Sequence, residues 1–305
     1  MPAVDAARGL AILAMVVYHF SWDLSFFGLI GVDVGSALGW RIFARLIAGA
    51  FLFLVGVSLV LASRRGIRWR PFLRRLAILV AAAAAITVAT WFVFPESFVF
   101  FGILHEIALA SVLGLAFLRA PLPLVAAAAV LAALAPSFLA APVFDHPALL
   151  WLGLYTVPPV SNDYVPVFPW FAIVLAGILA ARLAAARLPA PAHVAAPARA
   201  LAWLGRNSLA IYLVHQPILF GALYGLQALG AIAPPAERSF VESCVPACVA
   251  TAREEVLCRA ACGCVLREAK AEGIWESLQA GALSEDERGI YDRLARQCFS
   301  GPEVR

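Results

Sequence analysis

Long apolar stretches fill the first three quarters of the sequence and constrain its fold more than any other feature. Seven of them reach about 20 residues, over residues 8–30, 42–62, 73–94, 98–118, 121–141, 166–186 and 201–230. A hydrocarbon core about 30 Å thick is crossed by about 20 helical residues, whose backbone groups are bonded within the segment. Runs such as 78–87 are apolar on every face, unlike the alternating strands of a barrel. The sequence therefore predicts an all-α, polytopic membrane helix bundle with about seven spans.

Charge and cysteine content divide the chain into two parts. Residues 1–236 hold 7 acids and 14 bases, whereas residues 237–305 hold 12 acids, 9 bases and all six cysteines. We predict a transmembrane domain over 1–236 and a cysteine-rich extracytoplasmic tail domain over 237–305. With 63% hydrophobic and 14% charged residues, the composition excludes a soluble enzyme as a description of the first part. Its arginines abut apolar spans, so nucleic acid is not an expected partner.

The distribution of arginine predicts the orientation in the membrane. The segment 64–75 contains six arginines and no acid, and such loops are cytoplasmic. Alternation from this segment places further arginines inside, namely Arg119, Arg182, Arg187 and Arg199. It places the loops with acids outside, namely those with Glu96, Asp145 and Asp163. The N-terminus is then cytoplasmic and the tail periplasmic, in a bacterial inner membrane.

The first predicted span carries two ionisable residues, His19 and Asp23. An ionisable group at bilayer depth costs about 2.5–3.5 kcal/mol and needs a partner, a water-filled cavity or a function. Their i, i+4 spacing puts both on one helix face, where a carboxylate raises the basicity of an imidazole. This is the arrangement of a general base or an acyl-accepting nucleophile. A structural hydrogen bond to a neighbouring span is the alternative.

Two further histidines lie inside predicted spans. His105 is next to Glu106 in the fourth span, and His215 is near the centre of the seventh. Together with His19 and Asp23 they predict one shared polar cavity, which suits an enzyme or a proton-coupled transporter. We expect no metal, because no His-x-x-x-His or Glu-x-x-His spacing is present.

Arg41 and Arg45 open the second span at its predicted outer end, one helical turn apart. Arginines near a span end usually extend their guanidinium groups to the lipid headgroups. The alternative is that this pair of arginines donates hydrogen bonds to an anionic group of a substrate.

Four stretches carry a resemblance to a known family. They are DAARGLAI at 5–12 running into MVVYHFSWDL at 15–24, GILHEIALA at 102–110, DYVPVFPWF at 163–171 and WLGRNSLAIYLVHQP at 203–217. In this order the sequence resembles bacterial membrane proteins related to heparan-alpha-glucosaminide N-acetyltransferase, in the wider group of transmembrane acyltransferases. The resemblance covers most of residues 5–225.

The resemblance implies a membrane acetyltransferase. An acyl group, usually acetyl, is taken from cytoplasmic acyl-CoA and delivered to a hydroxyl or amine of an extracytoplasmic glycan or glycolipid. His19 with Asp23 matches the histidine that mediates transfer, as a base or as an acyl carrier.

Other residues are candidates for substrate binding. Arg8 and the 64–75 loop would attract the phosphates of the donor, although that loop is more often only the positive-inside signal. Asn207 and Tyr212 offer hydrogen bonds to a developing oxyanion, or bonds between helices. Asp163 would orient an acceptor hydroxyl or cap the following helix. His105 and His215 complete the set.

The tail has the spacing of a disulfide-stapled helical domain. Its cysteines are Cys244, Cys248, Cys258, Cys262, Cys264 and Cys298. Two pairs have i, i+4 spacing, so two antiparallel helices would be joined by 244–262 and 248–258, leaving 264–298 for a third bridge. Six cysteines allow 15 pairings, and the sequence does not choose among them. Zinc is the alternative, but the segment lacks histidine and Cys-x-x-Cys.

Two further expectations concern the tail. Residues 284–287, Ser-Glu-Asp-Glu, predict a capping box that opens a final helix. The tail carries no catalytic constellation and is interpreted as an accessory or partner-binding module. A scaffold whose function lies in the tail is thus a third hypothesis, after the acyltransferase and the transporter.

Overall fold

The computed structural model describes residues 2–184, 196–251 and 254–300, and within these ranges the regular secondary structure is helical. The predicted all-α fold is therefore confirmed. The apolar part contains α1 (Pro2–Phe26), α2 (Leu38–Ala62), α3 (Trp69–Val93), α4 (Ile103–Leu113), α5 (Leu122–Leu139), α6 (Val167–Ala184), α7 (Ala196–Arg206) and α8 (Ser208–Ala228). Arg187 of the predicted inside linker lies outside the described residues.

Six of these helices, α1, α2, α3, α5, α6 and α8, are long and apolar enough to cross a membrane. Their outward faces carry large apolar side chains such as Phe92, Leu131 and Phe138, which are 80%, 70% and 78% exposed. Exposing so many apolar groups to water is unfavourable, whereas exposing them to lipid is not. The chain is a multi-pass membrane protein.

Two predicted spans differ from the observed helices. The fourth, 98–118, is a shorter apolar helix over Ile103–Phe117, whose last turn is of the 3-10 type. The seventh, 201–230, is divided between α7 and α8 by Asn207. The Asn207 side chain donates to the carbonyl oxygen of Trp203 at 2.9 Å. Asparagine competes for backbone groups in this way, and it therefore favours helix ends over helix interiors.

Polar groups at both ends explain why α4 is short. At its start Asp163 Oδ2 accepts from the backbone N–H of Ile103 at 2.9 Å, so this acid caps α4. Beyond its end the guanidinium group of Arg182 donates to the carbonyl oxygens of Phe117 and Ala120 at 3.2 and 2.5 Å. One N–H at the start of α4 and two carbonyl groups beyond its end are thus paired within the protein, as burial in a membrane requires.

The described chain forms two compact units. The first consists of residues 1–19 and 38–217, and the second of residues 20–37 and 218–305. The domain boundary predicted at residue 236 stays a prediction.

The core of the first unit lies between α2 and α6. A Cβ atom on Gly56 would lie 2.1 Å from the carbonyl oxygen of Val174, and one on Gly177 would lie 2.2 Å from that of Phe53. Only glycine permits this approach of two helix backbones, as is common between membrane helices. Around the crossing pack buried apolar side chains of α2, α3, α4 and α6, including Leu52, Leu104, Val174 and Ile178.

The second unit contains the cysteine-rich tail. Its helices are α9 (Pro235–Val249), α10 (Glu255–Ala271), α11 (Trp275–Gln279) and α12 (Glu285–Ser300). The disulfides Cys244–Cys262 and Cys248–Cys258 join α9 to α10, and Cys264–Cys298 joins α10 to α12. The disulfide-stapled helical tail is therefore confirmed, with the pairing that two antiparallel helices favour.

Polar contacts complete the second unit. The backbone N–H of Ser284 donates to Glu287 Oε2 at 2.8 Å, and the Ser284 hydroxyl accepts from the N–H of Glu287 at 3.3 Å. This is the predicted capping box of α12. These bonds to its neighbours lower the pKa of the Glu287 carboxyl. The Arg238 guanidinium donates to the carbonyl oxygens of Phe27 and Gly28, which ties α9 to the turn that follows α1.

Candidate active site

An arginine-rich cavity of about 590 Å³ in the first unit could hold a substrate. Arginines from three helices are part of its lining: Arg8 of α1, Arg70, Arg74 and Arg75 of α3, and Arg206 of α7. Among the described residues only Arg8 of this set forms an ion pair, with Asp5 at 3.1 Å. The cavity therefore has an excess of positive charge that a polyanionic ligand would neutralise.

Two glycines bring arginines of α1 and α7 together. A Cβ atom on Gly9 would lie 1.9 Å from the carbonyl oxygen of Leu201, and one on Gly205 would lie 1.7 Å from that of Asp5. The two helices therefore cross in backbone contact, with Arg8 and Arg206 each next to a crossing glycine. The Arg8 guanidinium is held further by a 3.0 Å hydrogen bond to the hydroxyl of Ser58.

Much of the remaining lining of the cavity is apolar. It includes Ile12 of α1, Val55 of α2, and Ile103, Leu104 and Ile107 of α4. Tyr212 of α8 also lines the cavity, and its hydroxyl lies 3.4 Å from Asp163 Oδ2. A ligand that combines phosphates with a thin, less polar arm would match this mixed lining.

Asp163 stands where several elements meet. Its carboxylate caps α4 and accepts a hydrogen bond from the Tyr212 hydroxyl. Desolvation raises the pKa of the Asp163 carboxyl, and the bond from the N–H of Ile103 opposes that rise. Asp163 thus caps a helix, but that helix is α4 and not α6, which follows Asp163 in the chain. Its role in orienting an acceptor hydroxyl stays a prediction.

His19 and His215 form a pair of imidazoles. Their ring centroids are 4.9 Å apart in an edge-to-face arrangement. His215 Nδ1 lies 2.8 Å from the carbonyl oxygen of Tyr212, one turn earlier in α8. Since a carbonyl only accepts, Nδ1 carries the proton, and neutral His215 has its lone pair on Nε2. Nε2 is buried and has no hydrogen-bond partner among the described residues.

The hydrogen bonds of His105 differ from those of His215. Its Nδ1 accepts from the backbone N–H of Gly102 at 3.2 Å, and its Nε2 lies 3.3 Å from the Thr87 hydroxyl. The Thr87 hydroxyl donates to the carbonyl oxygen of Val99, so it accepts from His105 Nε2. Nδ1 therefore bonds within the first turn of α4, and Nε2 ties the start of α4 to α3. The lining of the arginine-rich cavity includes none of His19, Asp23, His105 and His215, so this cavity is not the shared polar cavity predicted for them.

Two acids in the apolar part are fully buried. Asp23 lies one turn after His19 on α1, on the same helix face, with none of its surface exposed. Glu106 of α4 is equally buried, and neither of its carboxylate oxygens has a hydrogen-bond partner among the described residues.

The remaining predicted contacts lie at the surface. Arg41 and Arg45 are exposed in the first turns of α2, beside exposed Leu38 and Ile42, a position that fits extension toward headgroups. Asn207 is exposed at the break between α7 and α8. Their roles in substrate binding stay predictions.

Sequence reasoning did not single out Arg206. Its guanidinium belongs to the cavity only because α7 crosses α1, a contact that no local pattern reveals. The signal that was present is Gly205 next to an arginine, at the end of an amphipathic stretch. Of the 64–75 loop, Arg70, Arg74 and Arg75 line the cavity, whereas Arg64 and Arg65 do not.

The fold and the cavity together define a membrane helix bundle with a cationic, partly apolar cavity. The family model for heparan-alpha-glucosaminide N-acetyltransferase, catalytic, matches residues 1–217. Because this match covers more than two thirds of the chain, the protein belongs to that family, and the predicted resemblance is confirmed. Searches among curated proteins and among solved structures find no match.

Proposed function

We propose that the protein is a membrane acyltransferase that takes an acyl group, usually acetyl, from acyl-CoA. The observation that carries this proposal is the arginine-rich cavity, found in a chain of an N-acetyltransferase family. Coenzyme A has a pyrophosphate and a 3′-phosphate, which suit a cluster of guanidinium groups. Its pantetheine arm is thin and less polar, and it would follow the apolar lining toward Tyr212.

The donor would enter from the cytoplasm. The arginines of the cavity belong to the segments that the positive-inside rule assigns to that side, in a bacterial inner membrane. The tail would then be periplasmic, where its three disulfides are stable. The acceptor would be a hydroxyl or amine of a glycan or glycolipid on the periplasmic side, and Arg41 and Arg45 lie near that side.

His19 would mediate the transfer, as a base or as a transient acyl carrier. Helix geometry gives Asp23 the position from which a carboxylate orients an imidazole and stabilises its protonated form. In the overall reaction the acceptor oxygen or nitrogen bonds to the acyl carbon, and the carbon–sulfur bond breaks. The acceptor's proton ends on the sulfur of coenzyme A. Tyr212 lines the cavity, and it would donate to the developing oxyanion by exchanging its hydrogen bond to Asp163 Oδ2 for one to the substrate.

Acetyl transfer by the purified protein tests this proposal. Detergent-solubilised wild-type protein is incubated with radiolabelled acetyl-CoA and with glucosamine, an amine acceptor, or with co-extracted glycolipid. We expect label on the acceptor, and we expect His19→Ala to abolish it while the protein still inserts into the membrane. Unchanged acetylation by His19→Ala would refute the role of His19.

Proteoliposomes separate this function from transport. A transporter would carry unmodified substrate into the vesicle, whereas the enzyme leaves the label covalently bound to the acceptor. Label that reaches the lumen only as free acetate or intact donor would contradict the proposed function.

A further inference from the structure

We propose that His215 is the general base that accepts the proton of the acceptor, a role separate from that of His19. This inference rests on the proposed acyltransferase function and divides its proton chemistry between two histidines. It is drawn from the hydrogen bonds of the three intramembrane imidazoles.

A base needs a nitrogen with a free lone pair. Both nitrogens of His105 are engaged, one with the N–H of Gly102 and the other with the Thr87 hydroxyl. In His215 the bond from Nδ1 to the carbonyl oxygen of Tyr212 fixes the tautomer, so that the lone pair is on Nε2. This atom is left without a hydrogen-bond partner among the described residues, in a side chain that is only 8% exposed.

Leaving a buried polar atom unpaired costs about 1–3 kcal/mol, so such an atom calls for an explanation. A substrate hydroxyl or amine that donates to Nε2 would supply the missing bond. The position fits this role, since the rings of His215 and His19 are 4.9 Å apart and Tyr212, one turn away, lines the donor cavity. The acceptor would therefore meet His215 where the acyl group arrives.

With His215 as the base, His19 is left as the acyl carrier, and both steps balance. In the first, a His19 nitrogen bonds to the acyl carbon, the carbon–sulfur bond breaks with its electron pair, and the proton of His19 passes to the sulfur. In the second, the acceptor oxygen or nitrogen bonds to the acyl carbon while its proton moves to His215 Nε2. The bond from that carbon to the His19 nitrogen breaks with its electron pair, and the proton on His215 Nε2 then passes to that nitrogen.

Two substitutions separate this role from a structural one. In His215→Asn the amide nitrogen replaces Nδ1 and can still donate to the carbonyl of Tyr212, whereas nothing replaces the Nε2 lone pair. General-base catalysis contributes about 10²–10⁴-fold, so we expect kcat for transfer to glucosamine to fall by that factor. The Kd for acetyl-CoA should be unchanged, because His215 does not line the arginine-rich cavity.

Chemical rescue provides the second measurement. His215→Ala leaves a space for a small base, so added imidazole should restore transfer in proportion to its concentration. His105→Ala is the matched control variant. Imidazole should not raise its activity, because both nitrogens of His105 form hydrogen bonds within the fold.

The outcomes distinguish the two proposals. Active wild-type protein together with a His215→Asn variant within threefold of its kcat would overturn the role of His215 and leave the acyltransferase intact. Loss of activity in His215→Ala without rescue, accompanied by weaker acetyl-CoA binding, would show a structural role and also overturn it. Wild-type protein that transfers no label to glucosamine or co-extracted glycolipid would refute the proposed function itself.

Discussion

The contact between α1 and α7 predicts a large effect of one methyl group. In Gly9→Ala the new Cβ atom would lie 1.9 Å from the carbonyl oxygen of Leu201, and such contacts essentially do not occur below 3.0 Å. The two groups must therefore separate by about 1 Å, the difference between these values. Neither can rotate away, because the carbonyl belongs to a helix backbone and the Cβ atom is fixed to another.

The magnitude follows from two opposing terms. Overpacking costs about 1–3 kcal/mol, and a contact with backbone places this variant at the upper end. The higher helix propensity of alanine offsets about 0.8–1.0 kcal/mol of this cost. A net loss of about 2 kcal/mol lowers the melting temperature by about 4–8 °C. Because α1 also moves Arg8 relative to Arg206, acetyl-CoA binding should weaken as well.

Thermal unfolding of the detergent-purified protein, followed by tryptophan fluorescence, measures the effect. The matched control is Gly49→Ala in α2, whose Cβ atom would meet Ile173 Cδ1 at an ordinary 3.5 Å. That variant should melt at the wild-type temperature or slightly above it. A Gly9→Ala variant that is as stable as Gly49→Ala and binds acetyl-CoA normally would refute the backbone contact and the way it positions Arg8.

Two further predictions concern the stability of particular elements. Replacing Cys264 and Cys298 by serine opens a bridge between residues 34 apart, and replacing Cys248 and Cys258 opens one between residues 10 apart. The first replacement should destabilise the tail by about 1 kcal/mol more, because the unfolded chain gains more entropy when a longer loop is released. Limited proteolysis of the full chain, with the tail fragment quantified, checks the order. In Arg182→Ala two carbonyl groups lose a charged donor at about 1.5–3 kcal/mol per bond, and the melting temperature should fall by several degrees. A wild-type melting curve would contradict that capping role.

The sequence predicts the fold largely because hydrophobic length is a local property. Each long apolar stretch gives a helix whether or not its neighbours are known. The shortening of α4 was not predictable in this way, because it depends on Asp163, sixty residues downstream, which caps Ile103. Disulfide pairing lay between these cases, since helical spacing favoured one pairing of the tail without excluding the others.

In the candidate site, too, local features were predictable from the sequence and long-range contacts were not. His19 and Asp23 are one turn apart on a single helix, so their shared face follows from spacing alone. The opposite uses of His105 and His215 depend on contacts with Thr87, Gly102 and Tyr212 that the sequence does not encode locally. Composition could rank the histidines as functional residues, but only their hydrogen bonds separate a helix cap from a candidate base.

Acetyl-CoA binding by a variant with a neutralised cavity tests the central claim, that the arginine-rich cavity is the donor site. Arg206→Gln removes one guanidinium group from the lining, and Arg64→Gln is the control, because Arg64 is in the same arginine-rich loop as Arg70 but outside the cavity. A hydrogen bond to a charged group contributes about 1.5–3 kcal/mol, so Arg206→Gln should raise the Kd about 10–150-fold. Arg64→Gln should leave the Kd within about twofold of the wild-type value. Equal Kd values for wild-type and Arg206→Gln protein would show that coenzyme A binds elsewhere.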